Sequence, residues 1–352
     1  MAFGVYLHVP FCSRKCDYCA FATWTDRHHL TERYLAACRT EAERLVDAGV
    51  PPVTSVFVGG GTPSLVPPDL LLAVLEPLPV QAGAEVTVEC NPDTVTPELL
   101  DAYAAGGVTR LSFGVQSMVP HVLTSLGRTH DPAAVERSVE LARSVGFDSF
   151  NMDVIYGAAG ETLDDWRRTL TEILALDPPH VSAYALTVEP GTPLADDAGR
   201  HPDDDFQAEM YDLATELLGA GGLDWYEISN WARPGHRCRH NLLYWRQGDY
   251  VGLGCAAHSH RHGRRWWNVR TPERYLEAIE AGRSAEAAGE RLDADARRLE
   301  RLQLELRTLD GVPASALPDD DALDGLVSVS GDRAHLTLRG RILANEVALR
   351  LR

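Results

Sequence analysis

Lysine is almost missing from this chain: of its 33 basic residues, Lys15 is the single lysine and the rest are arginine. That bias reads as a nucleotide-composition preference of the source and not as function. Positive charge is scarce altogether, with a formal net charge of −18 at pH 7. This excludes broad nucleic-acid binding, which needs a concentrated basic surface to meet phosphates. No run of about 18 apolar residues occurs, so no helical membrane span is expected. Residues 1 to 30 also lack a basic region leading into a long apolar stretch and a small-residue cleavage site. A soluble cytoplasmic protein is the expectation. Cysteine is limited to seven residues, an odd number, and a chain of 352 residues buries enough surface to fold without a disulfide scaffold.

What cysteine there is lies unevenly. Cys12, Cys16 and Cys19 fall within eight residues, in HVPFCSRKCDYCAF, while Cys38, Cys90, Cys238 and Cys255 stand alone. Protein-held iron-sulfur clusters normally take four cysteines. Three on one loop can hold three irons of a cubane and leave the fourth to a small molecule. Structural zinc is the competing reading, but it would want a fourth N or S ligand and paired knuckles; the nearby His8 lies in an apparent strand. The isolated Cys38 and Cys90 read as small core residues. Cys238 and Cys255 fall in a His-rich stretch.

To about residue 225, short β-branched or apolar runs alternate with stretches of helical period. Strands are expected at VYLHV from Val5, SVFVG from Ser55, EVTVE from Glu85, TRLSFG from Thr109, SFNMDVIYG from Ser149 and HVSAYAL from His180. Helices are expected over 32–48, 131–145 and 163–176. Six βα units predict an α/β fold, and six are too few for a closed eight-fold barrel, so a partial, open TIM-like barrel is the better match. After about 226 the rhythm changes to a stretch rich in Trp, Tyr, His and Arg. Helical segments over 272–281 and 293–309 follow, then two strands around a Gly331-Asp332 turn and a helix. The division expected is a barrel over 1–225 and a smaller α+β, winged-helix-like unit over 226–352.

Motif-like residues fall just after strand ends, where parallel α/β folds bind ligands. GGGTPS, from Gly59 to Ser64, lets backbone approach a ligand closely, although alone it reads equally as a tight connection. Glu89, Gln116, Arg128 and Asp153 sit at or just beyond strand ends, where buried charge is costly unless paired or bound; each could also simply cap a helix. Residues 233 to 270 carry eight Arg and five His against one acid, Asp249, which allows a local anionic partner.

Taken together, YLHVPFCSRKCDYC, VFVGGGTPS, VECNP, RLSFGVQS, LGRTH and NMDVIYGAAGET resemble the radical S-adenosylmethionine family. Within it they resemble the branch of the oxygen-independent coproporphyrinogen III oxidases and their HemW-type relatives, heme chaperones. The stretch from Tyr226 to Gly254 resembles the HemW-type segment, with an HNxxYW motif at His240, Asn241, Tyr244 and Trp245. The resemblance implies a [4Fe-4S] cluster on Cys12, Cys16 and Cys19, with the methionine amino and carboxylate groups of S-adenosylmethionine on the fourth iron. It implies that Tyr6 and Tyr18 lie beside cluster and cofactor, that Gly60, Gly61 and Thr62 hold the methionyl amino end, and that Glu89 takes the ribose hydroxyls. Gln116, Arg128 and Asp153 would complete that pocket. Imidazole can ligate heme iron, aromatic faces can cover a porphyrin and Arg can pair with its propionates, so His240, Asn241, Tyr244 and Trp245 are the heme candidates. Trp and Tyr there could equally pack the second unit on the barrel.

Two functions compete, a heme chaperone delivering heme to a hemoprotein and a decarboxylating coproporphyrinogen III oxidase. The oxidase pattern places a further Cys two residues past the third, where this chain has Phe21, and carries an N-terminal arm before the cluster. Both departures favour the chaperone. Ala20 departs in turn from the acidic residue often seen in the chaperone branch, and Cys255 and Ala256 replace a usual glycine and proline. Another radical enzyme on the same scaffold, such as a methyltransferase, would lack the HNxxYW segment. Turnover of S-adenosylmethionine, the acceptor and the choice of monomer or dimer are not legible.

Overall fold

The computed structural model describes residues 2–352. Six parallel strands, β1 (Phe3–Val9), β2 (Val53–Gly60), β3 (Val80–Cys90), β4 (Arg110–Gln116), β5 (Phe150–Tyr156) and β6 (His180–Ala185), lie side by side in chain order. Helices connect them: α1 (Thr31–Asp47), α2 (Pro68–Leu75), α3 (Pro97–Ala105), α4 (Pro120–Ser125), α5 (Pro132–Val145) and α6 (Leu163–Ala175). The strands are largely buried, as covered parallel strands are; in β1 only Tyr6 is not fully buried, and β4 to β6 also bury the polar Arg110, Ser112, Asn151, His180 and Ser182. Helix starts follow local chemistry. Thr162 accepts from the Asp165 amide while the Asp165 carboxylate accepts from the Thr162 amide, a reciprocal cap on α6. The six strands expected from the sequence are all present.

The later chain extends the same sheet at both ends. After α7 (Asp204–Ala220), β7 (Asp224–Glu227) and β8 (Asn230–Ala232) add antiparallel to β6. The sequence-expected boundary at 225/226 falls inside β7. Past α8 (Arg239–Trp245), β9 (Asp249–Leu253) pairs parallel with β1, and β10 (His258–Arg261), β11 (Arg264–Asn268) and, beyond α9 (Pro272–Glu280), β12 (Glu286–Arg291) continue antiparallel outward. The result is one open sheet of 12 strands, a barrel that does not close on itself. A second, smaller core gathers α10 (Ala294–Glu305), the three-stranded sheet of β13 (Val312–Pro313), β14 (Val327–Ser330) and β15 (Arg333–Leu336), and α11 (Leu338–Ile342) with α12 (Ala344–Ala348). The expected hairpin around Gly331 is there, followed by two short helices. Among the described residues no helix is long and apolar enough to cross a membrane.

Candidate functional site

The cysteine loop leaves the carboxyl end of β1 and is pinned to its neighbours by backbone. Cys12 N–H donates to the Trp24 carbonyl at 3.1 Å and Trp24 N–H to that of Pro10 at 2.8 Å, closing the loop base. Further out, Asp17 N–H donates to Leu126 at 3.3 Å and the Arg200 guanidinium pairs with the Asp17 carboxylate at 2.9 Å. All three cysteines are free thiols and line one cavity of about 800 Å³. Burial pushes the Cys12 and Cys19 thiols above their ordinary range.

The strand ends supply the rest of that cavity. Gly60, Gly61, Thr62, Glu89, Gln116, Arg128, Asp153 and Tyr18 all line it. The glycine turn has a steric cause: a Cβ on Gly61 would lie 2.5 Å from the Phe11 carbonyl oxygen and 2.8 Å from that of Val9. Gly61 N–H and Thr62 N–H donate to those same two carbonyls at 2.7 and 2.8 Å. With the Gly61 and Thr62 donors spent on the β1 side and that of Gly60 on Glu89, this turn offers a ligand acceptor oxygens, which suit an ammonium group. Glu89 accepts from Gly60 N–H at 3.1 Å. Desolvation, reinforced by Asp153, pushes its carboxyl up to about 8. Arg128 donates to the Gly114 carbonyl at 2.8 Å and reaches the Cys16 sulfur at 3.7 Å.

A second cavity of about 810 Å³ adjoins the first; Ala20, Phe21, Gly60, Glu89, Ser112, Asp153 and Tyr184 line both. Tyr6 lines this one and not the cysteine cavity, its hydroxyl 3.1 Å from His8 Nδ1. The floor is a hydrogen-bonded network. Asn151 Nδ2 donates to Ser112 Oγ and Asp153 Oδ1, both at 2.8 Å, and Ser112 Oγ donates to Asp153 Oδ2 at 2.9 Å. Asn151 Oδ1 accepts from Ser182 at 3.1 Å and from His180 Nδ1 at 2.6 Å. His180 therefore carries its proton on Nδ1, and Nε2 accepts from the Tyr226 hydroxyl at 2.7 Å.

The HNxxYW residues part company. Asn241 and Tyr244 line the second cavity; His240 and Trp245 line neither cavity. His240 is fully buried, its Nδ1 2.9 Å from Ser55 Oγ and its Nε2 2.8 Å from the Tyr244 hydroxyl. Burial pulls its imidazole down to about 3. Both nitrogens are thus engaged, and the imidazole fastens α8 onto β2. Cys238 and Cys255 are buried and line neither cavity; Cys238 caps α8. Much of the basic stretch is already neutralised, because Arg233, Arg239, Arg246, Arg264 and Arg265 pair with acidic side chains.

Several lining residues carried no sequence signal. Arg110, His180, Tyr184, Tyr250, His258, Trp267 and Arg270 converge on the second cavity from β4, β6, β9, β10 and β11 and the loops beside them. Only the pairing of β9 with β1 brings the last four to the strand ends, and that pairing spans some 240 positions of chain.

The family model of the radical SAM superfamily matches residues 6–173, the segment that builds β1 to α6. The heme chaperone HemW of Mycobacterium tuberculosis is 42% identical over 98% of this chain and 93% of its own length. This chain belongs to the HemW family. HemW of Bacillus subtilis is 33% identical over 98% of the chain and 97% of its own length, and that of Escherichia coli 38% identical over 72% and 69%. Coproporphyrinogen III oxidase (HemN) of Escherichia coli, a solved radical SAM enzyme, superposes with a TM-score of 0.87 over 99% of this chain and 89% of its own. At 23% identity that likeness establishes the shared fold of the HemW family and HemN alone.

Proposed function

We propose that this protein is a heme chaperone of the HemW type, carrying a [4Fe-4S] cluster and S-adenosylmethionine in the cysteine cavity and delivering heme to a hemoprotein. The observation that carries the reading is the convergence of three free thiols with the strand-end residues on one cavity. No three His, Cys, Asp or Glu side chains among the described residues are grouped to hold a single metal ion, while three separated thiols facing one chamber fit a cluster that takes each on its own iron. Cys12, Cys16 and Cys19 would be those ligands.

When bound, cluster and S-adenosylmethionine supply radical chemistry, and the protein contributes placement. The acceptor oxygens of Gly60 to Thr62 would receive the methionyl ammonium, Arg128 would meet its carboxylate with a planar fork, and Glu89 would accept from the ribose hydroxyls. Gln116 and Asp153 would complete the wall, and Tyr18 would lie beside the cluster. Phe21 stands where the oxidases place a further cysteine and lines both cavities. Seven free cysteines suit the reducing interior of the cell.

Anaerobic reconstitution tests the reading in two parallel assays. Heme should be retained stoichiometrically, with no conversion of coproporphyrinogen III to its vinyl product. Vinyl formation without heme retention would reassign the protein to the oxidases. Cys16→Ala should lose the cluster's charge-transfer absorption almost entirely, and a variant that kept full iron and sulfide would remove the cluster assignment.

A further inference from the structure

Every polar side chain on the floor of the second cavity has its partners except one. Arg110, at the start of β4, is 3% exposed and lines the cavity, yet its Nε and one terminal nitrogen have no hydrogen-bond partner. Its acidic neighbours Glu85 and Asp153 act on it through charge, without a hydrogen bond to those nitrogens. Asn151, Ser112, Asp153, Ser182 and His180 are bonded to one another, and the nearby Glu85 carboxylate is spent on the amides of Arg239 and His240, both at 3.0 Å. An unpartnered buried guanidinium costs several kcal/mol as a rule, and it is satisfied best by a planar anion offering two oxygens. The walls above it are of the opposite character. Tyr244 and Tyr250 stand edge to face at 4.5 Å, and His258 stacks on Trp267 at 5.6 Å and 26°. Arg270 adds a second cation at this wall.

A chamber of about 810 Å³ lined by Tyr244, Tyr250, the stacked His258–Trp267 pair and the cations Arg110 and Arg270 suits a flat apolar ring that carries carboxylate arms. Resting on the heme-chaperone reading, we propose that this second cavity is where the tetrapyrrole is held, with one propionate bound by Arg110 and the ring against the His258–Trp267 pair. The same chemistry could come from another source, the α-carboxylate of a second S-adenosylmethionine, so the test separates the two.

Hemin and hemin dimethyl ester, whose propionates are uncharged, are titrated into the cluster-reconstituted protein and followed by Soret absorption. Wild type should bind the free acid about ten- to a hundredfold more tightly than the ester. Arg110→Gln should bind both alike, and Arg110→Lys should keep part of the preference, which covers the case in which Arg110→Gln fails to hold its cluster. Equal affinity of wild type for acid and ester, or an undiminished preference in the variants, overturns the assignment while the chaperone reading stands. Wild type that binds no heme at all removes the chaperone reading with it. Equilibrium dialysis of S-adenosylmethionine should give one molecule per chain in wild type and variants; two in wild type falling to one in Arg110→Gln would give the cavity to the cofactor instead.

Discussion

His240 and His180 are both fully buried imidazoles with both nitrogens engaged, and their positions show what a short motif can and cannot say. The HNxxYW string marks a place, since Asn241 and Tyr244 do reach the second cavity, but helical geometry points two of its four residues elsewhere. His240 fastens α8 to β2 through Ser55 and Tyr244, whereas His258, in no motif, lines the chamber. Removing the His240 ring leaves a cavity and two hydroxyls unpaired, so His240→Ala should cost about 2–4 kcal/mol in denaturant unfolding, with the Soret maximum of bound heme unmoved. A displaced Soret maximum would return this residue to the heme site. Glu161 gives a pH test free of the cofactor. Its Oε2 accepts from the amides of Gly157 and Ala158 at 2.8 and 3.0 Å while Oε1 has no partner, and desolvation pushes the carboxyl up to about 7. The folded chain therefore binds more protons than the unfolded one between the ordinary carboxylate range and pH 7. Its contribution is present at low pH and lost as pH rises through about 7. Glu161→Gln should melt above wild type at pH 8, by an amount on the order of 1–3 kcal/mol, and alike near pH 4; a constant offset at both pH values would contradict this.

At the scale of elements, the βα series was legible because each of β1 to β6 contains a largely buried run bounded by turn residues. The strands beyond 226 were not, for physical reasons. β12, Glu286–Arg291, is exposed along its whole length, so it has no hydrophobic alternation to announce it. β9 is fixed by a partner at the other end of the chain. The tightest coupling between element and site is at the β2 turn, where Gly61 lies against the backbone of Val9 and Phe11 and thereby seats the residue before Cys12. Because the atoms in the way are backbone carbonyls, Gly61→Ala must move the turn or the cysteine loop. Iron and sulfide per chain after reconstitution should fall well below the wild-type value, with the far-ultraviolet dichroism of the barrel retained. Full cluster content would mean that the loop is seated by its other anchors alone.

Considered whole, the molecule is an open sheet whose two ends are tied by the small C-terminal core. At the β7 end, Leu309 N–H donates to the Tyr226 carbonyl at 2.8 Å, Glu227 bridges to Thr308, and the Arg341 guanidinium lies 3.6 Å from the centre of the Trp225 ring. At the other end, Glu300 of α10 accepts from Arg265 on β11 and from Gln247 beside α8, and Asp310 pairs with Arg246 at 2.8 Å. An eight-stranded barrel closed by its own hydrogen-bonded ladder needs no such tie, whereas this sheet has free lateral edges at β12 and β7. Removing residues 293–352 should therefore leave the cysteine cavity, built wholly from residues before 190, able to take up its cluster, while the second cavity loses its support and heme affinity falls by about tenfold or more, the equivalent of one or two charge-assisted contacts. Because those ties include ion pairs, raising salt on the full chain should push heme affinity the same way, though far less, since exposed pairs are worth at most about 1 kcal/mol each. A truncated protein that keeps both cluster and heme would show that the chamber is rigid without its tie; one that loses both would show that the two cores fold as a single cooperative unit.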